Sequence, residues 1–193
     1  MSNPSLIFTS FPIVFYATAV ALFYLSLNAY YVFFFLLVWL YLVPPLICRC
    51  LTLKNGFTDL EKGFSPWWAS YSLQRPYLDF PSLERILRAV PGLYSAWLRL
   101  WGAQIGKNVY WTPAVEICDR PLIKIGDNCI FGHRSTLVSH VITPKRKTLI
   151  LYIGAIEVGA NSFIGAGSVL GPGSIVKEDS FLPPQTIIKL GRS

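Results

Sequence analysis

Hydrophobic and polar positions divide the chain into three stretches with different periods. Leu6 to Leu27 and Tyr30 to Ile47 are predominantly apolar runs, separated by Asn28 and Ala29. As helices they would extend roughly 33 and 27 Å, against a hydrocarbon core of about 30 Å. The pattern predicts a transmembrane helical hairpin over residues 1–50. One long kinked helix and a re-entrant hairpin are the alternatives. Pro12 and Pro44-Pro45 are expected near helix ends, where a missing N–H costs least. A secretory signal peptide fits poorly, because the runs are long and have no basic start.

Residues 51–104 show a helical period instead. Phe80-Pro81-Ser82-Leu83 reads as a helix start, after which Leu83, Ile86, Leu87 and Val90 recur on one side. Pro91-Gly92 interrupts, and Leu93, Trp97, Leu100 and Trp101 form a second apolar side. Arg85, Arg88 and Arg99 accompany these stretches. Basic amphipathic helices rich in Trp and Leu suit a membrane interface, and the same faces suit packing on the next domain. Trp67-Trp68 fits an interfacial or a core position equally.

From Ile105 the period becomes six. Ile125, Phe131 and Leu137 hold one register, and Val158, Ile164, Leu170 and Val176 hold another. Two residues before these anchors stand Ile123, Cys129, Ser135, Ile156, Ser162, Ser168 and Ser174, all apolar or small. A six-residue period of this kind predicts a parallel β-helix over 105–193, with three units per coil, one aliphatic anchor inside each short strand, and a small residue at the corner.

Charge sharpens this division. The 193 residues carry 17 Lys+Arg and 10 Asp+Glu, a net +7, and none of these charges precedes Arg49. That asymmetry excludes a purely soluble protein, a disordered chain and a polytopic transporter. Arg49, Lys54 and Lys62 follow the second run, so the positive-inside rule places the C-terminal domain in the cytoplasm of a cell-membrane protein. The positive charge is scattered, which suits a membrane surface better than nucleic acid. With four cysteines, two histidines and no CxxC, a zinc site and a disulfide framework are both disfavoured. Cys48 and Cys50 flank a membrane helix and are candidates for palmitoylation.

The runs IGKNVYW, DRPLIKIGDNCIFGHRSTLVSH and IEVGANSFIGAGSVLGPGSIVKEDSFLPP, preceded by WLRLWGAQIG, resemble the hexapeptide-repeat acyltransferases with a left-handed β-helix. The resemblance covers Ile105 to Ser193, about half the chain. GSIVKEDSFLPPQTIIKLG is similar to the family's closing coil, although the usual GNPA ending is absent. The resemblance implies a homotrimer with active sites at the subunit clefts. It also implies a thioester co-substrate, coenzyme A or an acyl carrier protein, with no permanently bound cofactor and no metal.

The register breaks after Ile142, where Thr143 to Tyr152 form a ten-residue loop that the resemblance places over the active site. His140 precedes this loop and matches the family's catalytic histidine. Neutral imidazole can take the proton of an attacking hydroxyl or amine and return it to the leaving thiolate. Ile105 and Ile125 are equivalent anchors, so the lower coil carries two extra residues. Asp119 then stacks under Ser139 and Arg120 under His140. Asp119 is thus a candidate to hold the imidazole, and a corner ion pair with Arg120 is the competing reading. The register also sets Gly173 over His140, as a candidate oxyanion donor or as a simple corner glycine. Lys145, Arg146 and Lys147 admit three readings: the phosphates of coenzyme A or of a carrier protein's pantetheine arm, anionic lipid, or a solvated charge run. The family pattern places a pantetheine chain along Ala166, Gly167 and Ser168. His133 reads as a surface histidine and Cys129 as a core thiol.

The combined expectation is a membrane-anchored acyltransferase. It would move an acyl group from acyl-CoA or acyl carrier protein to a hydroxyl or amine of a lipid-linked or amphipathic acceptor. O-acetylation of a membrane-linked glycan precursor and a non-catalytic membrane scaffold are the alternatives. A γ-type carbonic anhydrase on the same β-helix is disfavoured, because it needs three histidines and the chain has two.

Overall fold

The computed structural model of this chain describes residues 3–24, 29–60, 63–145 and 148–190. Six helices and one strand come first: α1 (Asn3–Tyr24), α2 (Ala29–Tyr41), α3 (Val43–Arg49), β1 (Gly56–Asp59), α4 (Pro66–Asp79), α5 (Ser82–Arg88) and α6 (Leu93–Leu100). Two-to-three-residue strands follow, each holding one hexapeptide anchor. They are β2 (Gln104–Ile105), β3 (Tyr110–Trp111), β4 (Glu116–Ile117), β5 (Ile123–Ile125), β6 (Ile130–Phe131) and β7 (Thr136–Leu137). A pair of longer strands, β8 (His140–Lys145) and β9 (Thr148–Ile153), intervenes. The short strands resume as β10 (Ile156–Val158), β11 (Phe163–Ile164), β12 (Val169–Leu170), β13 (Ile175–Val176), β14 (Phe181–Leu182) and β15 (Ile187–Ile188).

The short strands stack into three four-stranded parallel sheets, ordered β13-β10-β5-β2, β14-β11-β6-β3 and β15-β12-β7-β4. This arrangement fits a left-handed β-helix. Equivalent anchors pair directly, as in Ile105↔Ile125 and Val158↔Ile125, Trp111↔Phe131, and Leu137↔Leu170. The anchors and the small residues two before them fill the interior. A period of two within each strand sends alternate side chains outward.

The corners require backbone contact between coils. A Cβ on Gly126 would lie 2.5 Å from the backbone nitrogen of Ala160. One corner also stacks asparagines. Asn108, Asn128 and Asn161 adopt the left-handed conformation, with φ of 53°, 54° and 57°. Each donates to the next coil: Asn108 to Asn128 at 3.2 Å, Asn128 to Asn161 at 3.1 Å and Asn161 to Asp179 at 3.0 Å. Asn suits this role because its short polar side chain tolerates positive φ.

The lower end of the β-helix is closed by α6. Trp97, Leu98 and Trp101 are buried there, and Trp111 stacks on Phe131 with centroids 4.6 Å apart. Arg99 ties the helix to the first coil by donating to the carbonyls of Ile105 and Gly106. The two amphipathic stripes therefore split. Leu87, Trp97 and Trp101 pack inward, whereas Phe80, Ile86, Val90 and Leu93 remain exposed.

Beneath the coil lies a buried ionic cluster. Arg120, about 1% exposed, donates from Nε to Glu84 at 2.7 Å and from Nη1 to Gln74 at 3.1 Å. Its guanidinium lies over Tyr77, Trp97 and Trp101. Arg88 bonds the other Glu84 oxygen at 3.0 Å. Desolvation is offset here because both charges are paired and hydrogen-bonded. The expected corner ion pair of Arg120 with Asp119 does not form; Glu84 takes that place.

In the apolar N-terminal part, hydrogen bonds from Leu42 to Val38 and from Leu46 to Leu42 join α2 to α3. Tyr30–Arg49 is a 20-residue helical stretch long and apolar enough to cross a membrane by length and composition. The corresponding described stretch of α1, Ser10–Leu22, is shorter, and Pro12 lies inside α1 rather than at its end. α1 packs along α4, with Tyr16 edge-on to Phe80, and meets α2 where Phe15 stacks on Trp39. A helix of the apolar region thus rests on a helix of the folded domain.

Candidate active site

Both irregularities in the hexapeptide register fall on the same corner. Between Ile117 and Ile125 the chain inserts a 3-10 turn at Arg120–Leu122. One coil higher, between Leu137 and Val158, it inserts β8 and β9. The expected ten-residue loop is in fact a β-hairpin that begins at His140 itself, pairing His140↔Ile153 through Lys145↔Thr148. β1, from the region read as a helical connector, adds to β9 as a third antiparallel strand. The hairpin gains a ladder partner on β9, which holds it against the helical domain.

The two insertions bring His140 and Asp119 together. His140 Nδ1 lies 2.6 Å from Asp119 Oδ2. The same oxygen accepts the Ser139 backbone N–H at 3.0 Å, and Oδ1 accepts Trp67 Nε1–H at 2.9 Å. The carboxylate is 2% exposed and the imidazole 18%. With Nδ1 donating to the carboxylate, the Nε2 lone pair is left for a proton acceptor role. Trp67 and Tyr71 of α4 flank the imidazole, with ring centroids 4.6 and 5.9 Å away.

Neighbouring groups narrow the chemistry. Burial, and then the charge of Asp119, push the Cys118 thiol up to about 12. It therefore stays protonated near neutrality and is no nucleophile. Burial likewise raises the Tyr71 phenol. Trp67 also lines a cavity of about 370 Å³ with Leu53, Lys54, Ser65, Leu151 and Ile153. Ile153 is the ladder partner of His140, so this cavity reaches the strand beside the histidine.

Other expected site residues are placed differently. Gly173 donates its N–H to the carbonyl of Gly154 at 3.0 Å, so that group is not free to receive an oxyanion. Removing the hairpin from the stack puts Gly154, not His140, against Gly173: a Cβ on Gly154 would lie 2.5 Å from the Gly173 nitrogen. Ala166, Gly167 and Ser168 occupy the corner between β11 and β12, one corner away from the His140–Asp119 pair. Ala166 is exposed there, whereas Ser168 points inward and bonds Pro183 O at 3.2 Å. Gly167 turns with φ +69° and donates to His133 O. His133 is exposed on that corner and Cys129 is in the core. Lys145 ends β8; its side chain, together with Arg146 and Lys147, lies outside the described residues. Trp67 and Tyr71 carried no site signal in the sequence, since only the packing of α4 on the coil brings them to the corner.

No family model matches the chain, and no curated protein does. Among solved structures, a maltose O-acetyltransferase from Clostridium difficile 630 is similar over 61% of this chain and 76% of its own, at 14% identity and a TM-score of 0.44. A galactoside acetyltransferase in complex with coenzyme A is similar over 60% and 76%, at 16% identity and a TM-score of 0.36. A hexapeptide-repeat acetyltransferase from Vibrio cholerae gives 60% and 88%, 16% and 0.26. The parallel ladders between successive coils of this chain carry the β-helix by themselves.

Proposed function

We propose that this chain is a membrane-anchored acyltransferase that carries an acyl group from a thioester of coenzyme A or acyl carrier protein to a hydroxyl or amine of an amphipathic acceptor. The observation that carries this reading is the His140–Asp119 pair, set at the one corner where a hexapeptide β-helix departs twice from its register. His140 Nε2 takes the proton of the acceptor as it attacks the thioester carbonyl. Asp119 holds the tautomer and stabilises the imidazolium. The proton then passes to the departing thiolate, and no covalent enzyme intermediate is needed.

Three features support the finer parts of the proposal. Tyr30–Arg49 is a candidate membrane span. Phe80, exposed beside Tyr16 of α1, and the exposed Ile86 of α5 would rest at the interface with the catalytic domain on the cytoplasmic side. The cavity between Leu53, Leu151 and Lys54 offers apolar walls and one cation, which suits an amphipathic acceptor with an anionic group. Tyr110, Ile130 and Phe181 point outward from the β14-β11-β6-β3 sheet and are exposed in a single chain, which supports assembly as a homotrimer.

The test is transfer from acetyl-CoA to a total membrane-lipid extract, followed by thiol release and by mass spectrometry of the lipid. His140→Ala should lose about 10²–10⁴-fold. Equal turnover by the variant and the native protein would eliminate His140 as the base.

A further inference from the structure

We infer that Trp67 is a positioning residue for the His140–Asp119 pair, and that through it the apolar helical region sets the tautomer of His140. The inference rests on the reading of His140 as the base. Asp119 is buried and has two oxygens to satisfy. Oδ2 is occupied by Ser139 N–H and by His140. Oδ1 is held by Trp67 Nε1–H at 2.9 Å. A buried carboxylate oxygen without a donor carries a desolvation cost, and the carboxyl group can rotate to recover a partner. Rotation would move Oδ2 away from Nδ1 and release the imidazole to either tautomer. The indole N–H therefore fixes the carboxylate plane, and the carboxylate fixes the imidazole. Trp67 also lies 4.6 Å from the imidazole ring, centroid to centroid, and restrains it from a second side.

The origin of Trp67 gives this contact its meaning. His140, Ser139 and Asp119 all belong to the β-helix corner, whereas Trp67 is in the first turn of α4. Ser65 caps that turn, accepting from Trp68 N at 3.2 Å, and Pro66 starts it. Farther along, α4 packs against α1 and α3. A shift of the apolar helices relative to the β-helix thus reaches the carboxylate through a single rigid side chain. The site is complete only when the helical region is docked.

The experiment uses the full chain in detergent micelles, labelled with nitrogen-15 at histidine. The chain has only two histidines, so His140→Ala assigns the spectrum. The native protein should show His140 in the single Nδ1–H tautomer, with its hydrogen-bonded proton far downfield. Trp67→Phe keeps an aromatic ring and removes the donor. In it the downfield proton should be lost and the two ring nitrogens should average. Placing 3-benzothienylalanine at position 67 keeps the bicyclic shape without the N–H, and should reproduce the loss. Turnover of acetyl-CoA should fall about tenfold in kcat in both variants, with KM for acetyl-CoA within twofold. Trp68→Phe changes the ring packed on Trp67 and Tyr71 but keeps the Trp67 N–H, and should leave both readouts native.

A native His140 spectrum in both position-67 variants would overturn the inference. So would loss confined to Trp67→Phe and absent from the benzothienyl variant, because it would show that ring volume matters and the N–H does not. Should His140→Ala keep native turnover, the base assignment fails. Should it lose turnover while both position-67 variants keep native spectra and rates, only the role of Trp67 fails.

Discussion

The three corners of the β-helix are made from one repeat, yet one of them makes the same left-handed turn in every coil, a second does so in the three coils at Arg134, Gly167 and Gln185, and the third twice inserts extra chain. At the corner after β2, β5 and β10, Asn108, Asn128 and Asn161 repeat the same left-handed turn and the same side-chain hydrogen bond. At the corner after β4 and β7, one coil inserts a 3-10 turn and the next inserts a hairpin. The asparagine corner satisfies its side-chain amides within the stack, each coil bonding the next. The irregular corner presents Asp119, Ser139 and His140 to one another, and needs Trp67 and Gln74 from α4 to satisfy what the stack cannot. Departure from the repeat is therefore the cost of placing a titratable pair on a scaffold that otherwise buries or pairs its polar groups.

That contrast can be broken in graded steps. The largest expected effect is on turnover at the irregular corner, where Asp119→Asn should lower kcat about 10²–10⁴-fold, close to His140→Ala, because the imidazole loses the acceptor that sets its tautomer. Steady-state kinetics with acetyl-CoA checks it. A loss in His140→Ala alone would show that the carboxylate is structural.

Arg120→Ala should follow, as a stability effect. It leaves Glu84 buried without its main partner, at about 3–5 kcal/mol. Denaturant melts in detergent measure this. Fluorescence of the tryptophans around the guanidinium should report the helical domain separating from the coil.

At the regular corner the penalties shrink. Asn128→Ala places an alanine at φ 54° and cuts two rungs of the asparagine ladder, at about 1–2 kcal/mol. Turnover by the remaining folded protein should be native, and a fall in kcat would couple the two corners. Lys124→Ala is the smallest step. It removes an exposed ion pair with Glu157, 2.8 Å long, and should change stability by less than about 0.5 kcal/mol.

A chemical probe sharpens the same comparison. Iodoacetamide at pH 8 should modify the exposed Cys50 readily. It should spare Cys118, whose thiol burial and Asp119 push up to about 12. Fast labelling of Cys118 in Trp67→Phe would report an opened corner.

The β-helix was legible in the sequence because its constraint is local and periodic. An inward residue must recur every six positions or the coil cannot close, so Ile125 to Leu137 and Val158 to Val176 announce themselves. The pairing of Asp119 with His140 was legible for the same reason: stacking arithmetic carries a register across coils without knowledge of any side chain. The arithmetic failed for Gly173 because it counted the hairpin as part of the stack. The break at Thr143–Tyr152 was visible, but not that it begins at His140 and takes β1 as a partner, since antiparallel pairing across nearly a hundred residues leaves no periodic trace.

What the sequence alone determined is therefore the division of the chain and the identity of its repeat, together with the corner where the repeat breaks. Each follows from a periodicity or a run of apolar residues. Tertiary structure alone decided who completes that corner. Trp67 reaches Asp119, Gln74 and Glu84 take Arg120, and Ile86 is left exposed while Leu87 is buried, because α4, α5 and α6 dock on the coil in one orientation. Docking between segments distant in sequence is set by shape and by the pairing of buried polar groups. Neither quantity repeats along the chain, so neither can be read from it.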